Sequence, residues 1–389
     1  MVVDEQLERA DRVHRRTIGS AYERRDNSLN FLRLVLAVLV IVGHAVNLNR
    51  PWTPWETFNH TTIATIAVYG FFGISGYLIA GSAVRNTAGR FLWQRFLRIF
   101  PAFWVCLAVT AVVFGFVESL SLAGHCRTVS CYVHAPDSPF GYVYRNLFLQ
   151  INQHSIADTP RGSFVPLEWN GSLWTLFYEF LCYLLLMVLA MVGLLRRRGA
   201  TLALTTGLLV TITIITVDHG LSLHFSLAQN WILMNFMKFA AIFLVGALIY
   251  LYREVVPDSS LIALACAGLF AASLYIPTRG KFPAFAFTES ALLAPLVAYP
   301  CLWLGAHLPF ERIGATNDYS YGMYIYAFPV QQLLATWSGL QWSGLEYTSA
   351  SIALTAVFAT GSWWLIEKHA LKLKKMEWVS FGRPTAGHG

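Results

Sequence analysis

Charged side chains are scarce in this sequence. The 28 Lys and Arg and 21 Asp and Glu make up only 13% of 389 residues, where a soluble domain carries about 25%. That shortage excludes an ordinary soluble fold. With 56% hydrophobic residues and a mean hydropathy of +0.51, the composition is that of an integral membrane protein. The net charge of +7 does not point to nucleic acid, because the basic residues fall in the gaps between apolar runs and read as topology signals. An apolar leader is also missing. Residues 1–28 are polar, hold Arg9, Arg12, Arg15, Arg16, Arg24 and Arg25, and read as a cytoplasmic tail rather than a signal peptide. No metal constellation is visible: His125, His134 and His154 lack ordered ligand spacing and read as solvated loop groups. There is no internal repeat, and no soluble domain is expected after the last apolar run.

Long apolar runs are what the chain has in abundance. Runs of spanning length lie near 30–48, 62–83, 99–120, 172–194, 201–217, 231–251, 260–276, 288–306, 319–338 and 348–366. The expectation is an all-α bundle of about ten transmembrane helices. With the N-terminus inside, twenty Lys and Arg fall in cytoplasmic segments and six on the opposite side, the remaining two of the 28 being Arg33 and Lys238 within helices. That bias predicts both termini in the cytoplasm. The domain expectation is a tail over 1–28, a transmembrane domain over 29–367 with an external loop at about 121–170, and a basic tail over 368–389. The loop is too long for a turn and too aromatic for a disordered linker, and reads either as a binding surface or as a structural lid. Cys126 and Cys131 lie within it, where a local disulfide could persist; the pair is left as either bonded or free. The other four cysteines fall in helices as small packing groups.

Four polar clusters interrupt the apolar pattern. In "RLVLAVLVIVGH", Arg33 and His44 are eleven residues apart, about three turns at ~100° each, so they share one helix face about 16 Å apart. In "FLWQRFLRIFPAFW", Arg95 and Arg98 are three apart and can fork onto phosphate oxygens, with Pro101 either in a first turn or at a kink. In "GSLWTLFYEFLCYLL", Glu179 must be neutral, paired or facing water, with Lys238 as a possible partner. In "YGFFGISGYLIAGS", Gly73, Ser75 and Gly76 allow close helix approach and could shape a cavity wall.

With those stretches in hand, the sequence resembles the acyltransferase 3 family. The resemblance rests on Arg33 and His44; "FFGISGYL" at 71–78; Arg95, Arg98, Ile99 and Pro101; "SLWTLFYEFLCY" at 172–183; and "SYGMYIYAFPVQQ" at 320–332. It implies a membrane O-acyltransferase that moves an acyl group, most often acetyl, from cytoplasmic acyl-CoA to a hydroxyl of an extracytoplasmic or lipid-linked carbohydrate. Succinyl is a further donor group, and a small-molecule acceptor such as a macrolide is an alternative. The implied location is a cell membrane, the inner membrane of a bacterium. No tightly bound cofactor is implied. The functional positions by resemblance are Arg33, His44, Arg95, Arg98 and Glu179, with Trp174, Tyr178 and Ser75 in support. Many members carry His where this chain has Ala327, so a second histidine is not expected there. Some members carry a fused SGNH-type domain; this sequence ends at Gly389 without one, so direct acylation or a separate SGNH-type partner is expected.

The chemistry expected of these residues is specific. Arg95 and Arg98 hold the CoA phosphates, and Arg33 a phosphate or pantetheine carbonyl. His44 takes the acceptor's proton, with Glu179 orienting its ring. Trp174 and Tyr178 stack on a sugar. An acyl-serine relay through Ser75 is the more elaborate route, and Lys238 completes the polar set. A transporter or channel for a polar solute is the competing class, for which intramembrane Arg, His and Glu would be equally natural.

Overall fold

The computed structural model describes residues 16–23, 26–49, 62–120, 126, 128–221, 231–275, 293–338 and 342–375. Most of the two predicted tails lies outside these residues, as do His125 and the start of the predicted 288–306 helix. Among the described residues the protein is helical, and β-structure is limited to two isolated bridges, Thr17 with Pro257 and Ile156 with Thr159.

A helix lies at each of the ten apolar runs. They are α1 Leu29–Asn49, α2 Ile63–Arg85, α3 Ala88–Ser119, α4 Trp174–Met191, α5 Arg198–Leu221, α6 Trp231–Leu251, α7 Ser260–Tyr275, α8 Ala294–His307, α9 Ser320–Ser338 and α10 Gly344–Lys372. Seven of these, α1 to α6 and α10, are long and apolar enough to cross a membrane. The other three are shorter or more polar, as with the 16 residues of α7 and the 14 of α8.

The helix starts follow capping chemistry. The Thr62 side chain accepts the Thr65 N–H at 3.1 Å to open α2, and Ser343 forms a reciprocal box with Glu346 to open α10. The start of α3 differs from expectation. Counting apolar residues placed it at 99, but the amphipathic stretch from Ala88 is already helical. Pro101 is therefore an interior proline and not a first-turn residue. Farther along, α3 widens into a π segment at Thr110–Phe114, and α10 does the same at Trp363–Glu367.

Helix α2 forms the centre, packed against α1, α6 and α8. A Cβ on Gly76 would lie 1.9 Å from the Phe243 carbonyl oxygen, and one on Gly246 would lie 2.1 Å from that of Gly73. The α2 and α6 backbones thus touch, as the small-residue pattern predicts.

The chain's described ends lie at one end of the bundle. Ile18 N–H and Gly19 N–H donate to Val256 and Arg253 after α6, and Ser28 Oγ donates to the Leu308 carbonyl after α8. Trp93, early in α3, donates to the Leu373 carbonyl at 3.3 Å. At the opposite end, residues 128–170 fold over the helices. Cys126 and Cys131 are disulfide-bonded, Glu118 accepts the Arg161 N–H at 2.7 Å, and the Trp169 ring is fully buried with its Nε1 donating to Thr159. Trp169 is a core residue.

Candidate active site

Two cavities open from the two ends of the bundle, and α1 and α4 line both. The arginine cavity, about 50 Å³, is lined by Arg33, Arg98, Thr175, Glu179, Tyr183, Ser320, Tyr321 and Tyr324 among others. The histidine cavity, about 520 Å³, is lined by His44, Asn47, His154, Glu168, Asn170, Trp174, Tyr178, Trp231 and Phe328 with apolar neighbours. Between them stand Tyr324, whose hydroxyl donates to the Ser172 carbonyl at 2.7 Å and bonds Thr175, and Phe328, whose ring meets His44 edge-on at 5.2 Å.

The arginine cavity is a compact charge network. Arg33 and Arg98 both bond Asp318 Oδ2, at 2.8 and 2.5 Å, and Arg98 also reaches Glu367 Oε2 at 3.4 Å. The π segment of α10 ends on Glu367, a local widening of a kind often found at functional positions. Burial pushes the Asp318 carboxyl up, but Arg33, Arg98 and the Ser320 hydrogen bonds together outweigh it and hold the group ionised, well below the usual carboxylate range. Arg95 is different. Its guanidinium lies 5.9 Å from the Phe91 and Tyr183 ring centres, it forms no ion pair among the described residues, and its buried Nε has no hydrogen-bond partner. Lys374, just beyond α10, feels Arg95, Arg98 and Arg33 as neighbouring charges. Burial first, then those arginines, push its ammonium down to about 8.

Glu179 belongs to this network and not to His44. It accepts hydrogen bonds from Tyr183 and, at 3.4 Å, from Ser75 Oγ. The reason is helical geometry: consecutive residues on α4 point about 100° apart, so Tyr178 faces the histidine cavity while Glu179 faces the arginine cavity. The expected His44–Glu179 dyad is therefore not formed. Ser75 is buried against Glu179, and Lys238 is half-buried on α6 and lines neither cavity.

In the histidine cavity, the His44 ring makes no hydrogen bond among the described residues. Its helix is fixed nearby by Gln331, whose Nε2 donates to the Ile41 carbonyl at 2.9 Å. Trp174 and Tyr178 are present as expected, their rings 5.6 Å apart, and they pack with Trp231 and Phe239 as an aromatic wall. Asp318, Glu367, Tyr183, Tyr324, Lys374 and the His154–Glu168 pair were not singled out by sequence. Asp318 lies in a short connection and Glu367 at the end of an apolar run, so both looked like boundary residues. His154, expected to be a solvated loop group, is indeed half-exposed, and its Nδ1 lies 2.9 Å from Glu168 Oε1. Among the described residues no three His, Cys, Asp or Glu side chains converge as a metal set.

A helical membrane protein with a cationic cavity backed by a histidine-bearing cavity has the parts of a group-transfer enzyme fed from two sides. The acyltransferase domain family, acyltransferase 3, matches residues 26–367, so the chain belongs to that family and is an acyltransferase. It is 29% identical over 358 residues to an O-acetyl transferase of Shigella phage Sf6, covering 89% of this chain and 96% of that one. It is 28% identical over 380 residues to nodulation protein 10 of Rhizobium leguminosarum bv. viciae, covering 90% and 94%. No solved structure matches significantly.

Proposed function

We propose that this protein is a membrane O-acyltransferase that takes an acyl group, acetyl first, from acyl-CoA and transfers it to a carbohydrate hydroxyl across a bacterial cytoplasmic membrane. The observation that carries this reading is the pairing of a cation-rich cavity at one end with a wider, aromatic-walled histidine cavity at the other. CoA is polyanionic. The arginine end, with Arg95 Nε unpartnered and Arg33, Arg98 and Lys374 close by, has the charge to hold its phosphates. Twenty Lys and Arg on that side by the ten-span reading, against six on the other, make it the cytoplasmic side. Both ends of the chain then lie in the cytoplasm. Trp174 and Tyr178 suit a sugar ring, and the phage O-acetyl transferase supports acetyl as the group moved. His44 is the catalytic group at which thioester and acceptor meet.

Lys238, which lines neither cavity, is not assigned a substrate-binding role, and Ser75 supports Glu179 rather than carrying the acyl group. The test is CoA release from purified protein given acetyl-, succinyl- and longer acyl-CoA, alongside mass spectrometry of envelope glycans from a deletion strain and its parent. His44→Ala is expected to insert normally and lose transfer by at least about a hundredfold, the scale of a lost acid–base or oxyanion group. Wild-type turnover in that variant would remove His44 from the chemistry.

A further inference from the structure

Alcohol attack on a thioester requires a base whose protonated form is stabilised, and His44 lacks what a base in low dielectric needs. Its ring faces Phe328 and has no carboxylate beside it among the described residues. The same cavity contains a histidine that does. His154 Nδ1–H donates to Glu168 Oε1 at 2.9 Å, leaving Nε2 with a free lone pair on a ring whose tautomer and orientation are set by a carboxylate.

The pair is built into the fold. The Trp169 N–H donates to the His154 carbonyl at 3.0 Å, joining the two segments next to the pair. Buried Gln332 on α9 donates to the Glu168 and Val165 carbonyls at 2.7 and 2.8 Å, and Phe164 N–H donates to the Leu48 carbonyl near the end of α1. Glu168 is thereby tied to the helix that also carries Phe328, and its loop to the helix that carries His44.

We infer that His154, oriented by Glu168, is the general base for the acceptor, while His44 serves the thioester. In this scheme the acceptor's O–H proton passes to His154 Nε2 as its oxygen bonds to the acyl carbon. A neutral His44 N–H holds the carbonyl oxygen as it becomes an oxyanion, the role a neutral imidazole can fill. Collapse breaks the C–S bond, and the CoA thiolate leaves and takes the proton from the His154 imidazolium. Both histidines end neutral, and the products are ester and CoA thiol. Glu168 is a positioning residue. The inference rests on the acyltransferase reading above and divides its chemistry between two residues.

The test uses full-length purified protein with acetyl-CoA and two nucleophiles, water and hydroxylamine. Water needs a base; hydroxylamine attacks a thioester without one. Wild type is expected to release CoA with both. His154→Gln, which keeps a donor toward Glu168, should lose water-dependent release at least about thirtyfold and keep hydroxamate formation within about twofold, since one positioned base contributes ~10²–10⁴. Glu168→Gln should show a smaller loss with the same split, and His44→Ala should lose both reactions. Equal loss of both reactions in His154→Gln, or wild-type hydrolysis in it, would overturn the assignment of the base. A wild-type protein that releases CoA with neither nucleophile would instead overturn the acyltransferase reading of the donor site.

Discussion

Arg95 and Arg98 sit three residues apart on one helix and do different work. Arg98 is committed to Asp318 and Glu367, whereas the buried Nε of Arg95 has no hydrogen-bond partner among the described residues. Arg95→Ala should therefore raise the acyl-CoA Kd by about 10–100-fold, the worth of ~1.5–3 kcal/mol for a hydrogen bond to a charged group, and leave Tm nearly unchanged. Arg98→Ala should instead lower stability by about 3–5 kcal/mol, because it leaves two buried carboxylates short of their partner. Ligand titration and thermal unfolding of the two variants separate these outcomes; equal losses of affinity with no change in Tm would refute the division. Lys374 adds a pH dependence. Burial lowers its folded value from 10.5 to about 8, so its charge is lost as pH rises through about 8. Donor affinity should then fall about five- to tenfold from pH 7 to 9. The effect on folding has the opposite sign: the unfolded chain keeps this proton up to 10.5, so this group's contribution to stability rises between those values. In Lys374→Arg the Kd should be flat over that range, and a wild-type Kd that is equally flat would take Lys374 out of the donor site.

At the scale of elements, the contact of α2 with α6 is the tightest constraint. Since the groups facing Gly76 and Gly246 are backbone carbonyls, no rotamer change can make room, and an added methyl must push the helices apart. Gly246→Ala should cost more than the ~1–3 kcal/mol of ordinary overpacking and abolish a monodisperse peak in detergent. Gly268→Ala on α7, with nothing within 4 Å, should be neutral or stabilising by up to ~1 kcal/mol, as helix propensity alone predicts. Size-exclusion profiles of the two variants decide the matter. This contact was legible in "FFGISGYL", and the helix positions in the apolar runs, because both signals are local. The partnership of Arg33 with Asp318, 285 residues away, was not. Nor was the direction of Glu179, since spacing fixes which residues share a face of one helix and says nothing of which neighbour that face meets. The start of α3 was missed because an amphipathic first turn carries charges that a hydropathy count treats as a boundary.

At the scale of the whole molecule, the two cavities approach each other from opposite ends and are divided by few side chains. Arg33 and His44 lie about 16 Å apart along α1, and α4 runs past the same divide, with Trp174 on one side and Tyr183 on the other. On the proposed reading, a donor anchored at the arginine end must pass its acyl group through this partition, which slows attack by water on the thioester without abolishing it. Tyr324 lines the arginine cavity at this divide: its hydroxyl ties α9 to Ser172 and Thr175 at the start of α4, and its ring meets Phe71 of α2 at 6.0 Å. Tyr324→Phe keeps the ring and should alter transfer only modestly. Tyr324→Ala removes the ring and should join the cavities, so that acetyl-CoA is hydrolysed faster than in the wild type. The ratio of CoA released to acyl group transferred should rise at least about tenfold in Tyr324→Ala and stay near the wild-type value in Tyr324→Phe. Because His44, Arg95 and the His154–Glu168 pair are untouched, a rise in this ratio separates loss of the partition from loss of chemistry. An unchanged ratio in Tyr324→Ala would mean that the partition is closed by the backbone of α4 and α9, and that the acyl group crosses by a different route.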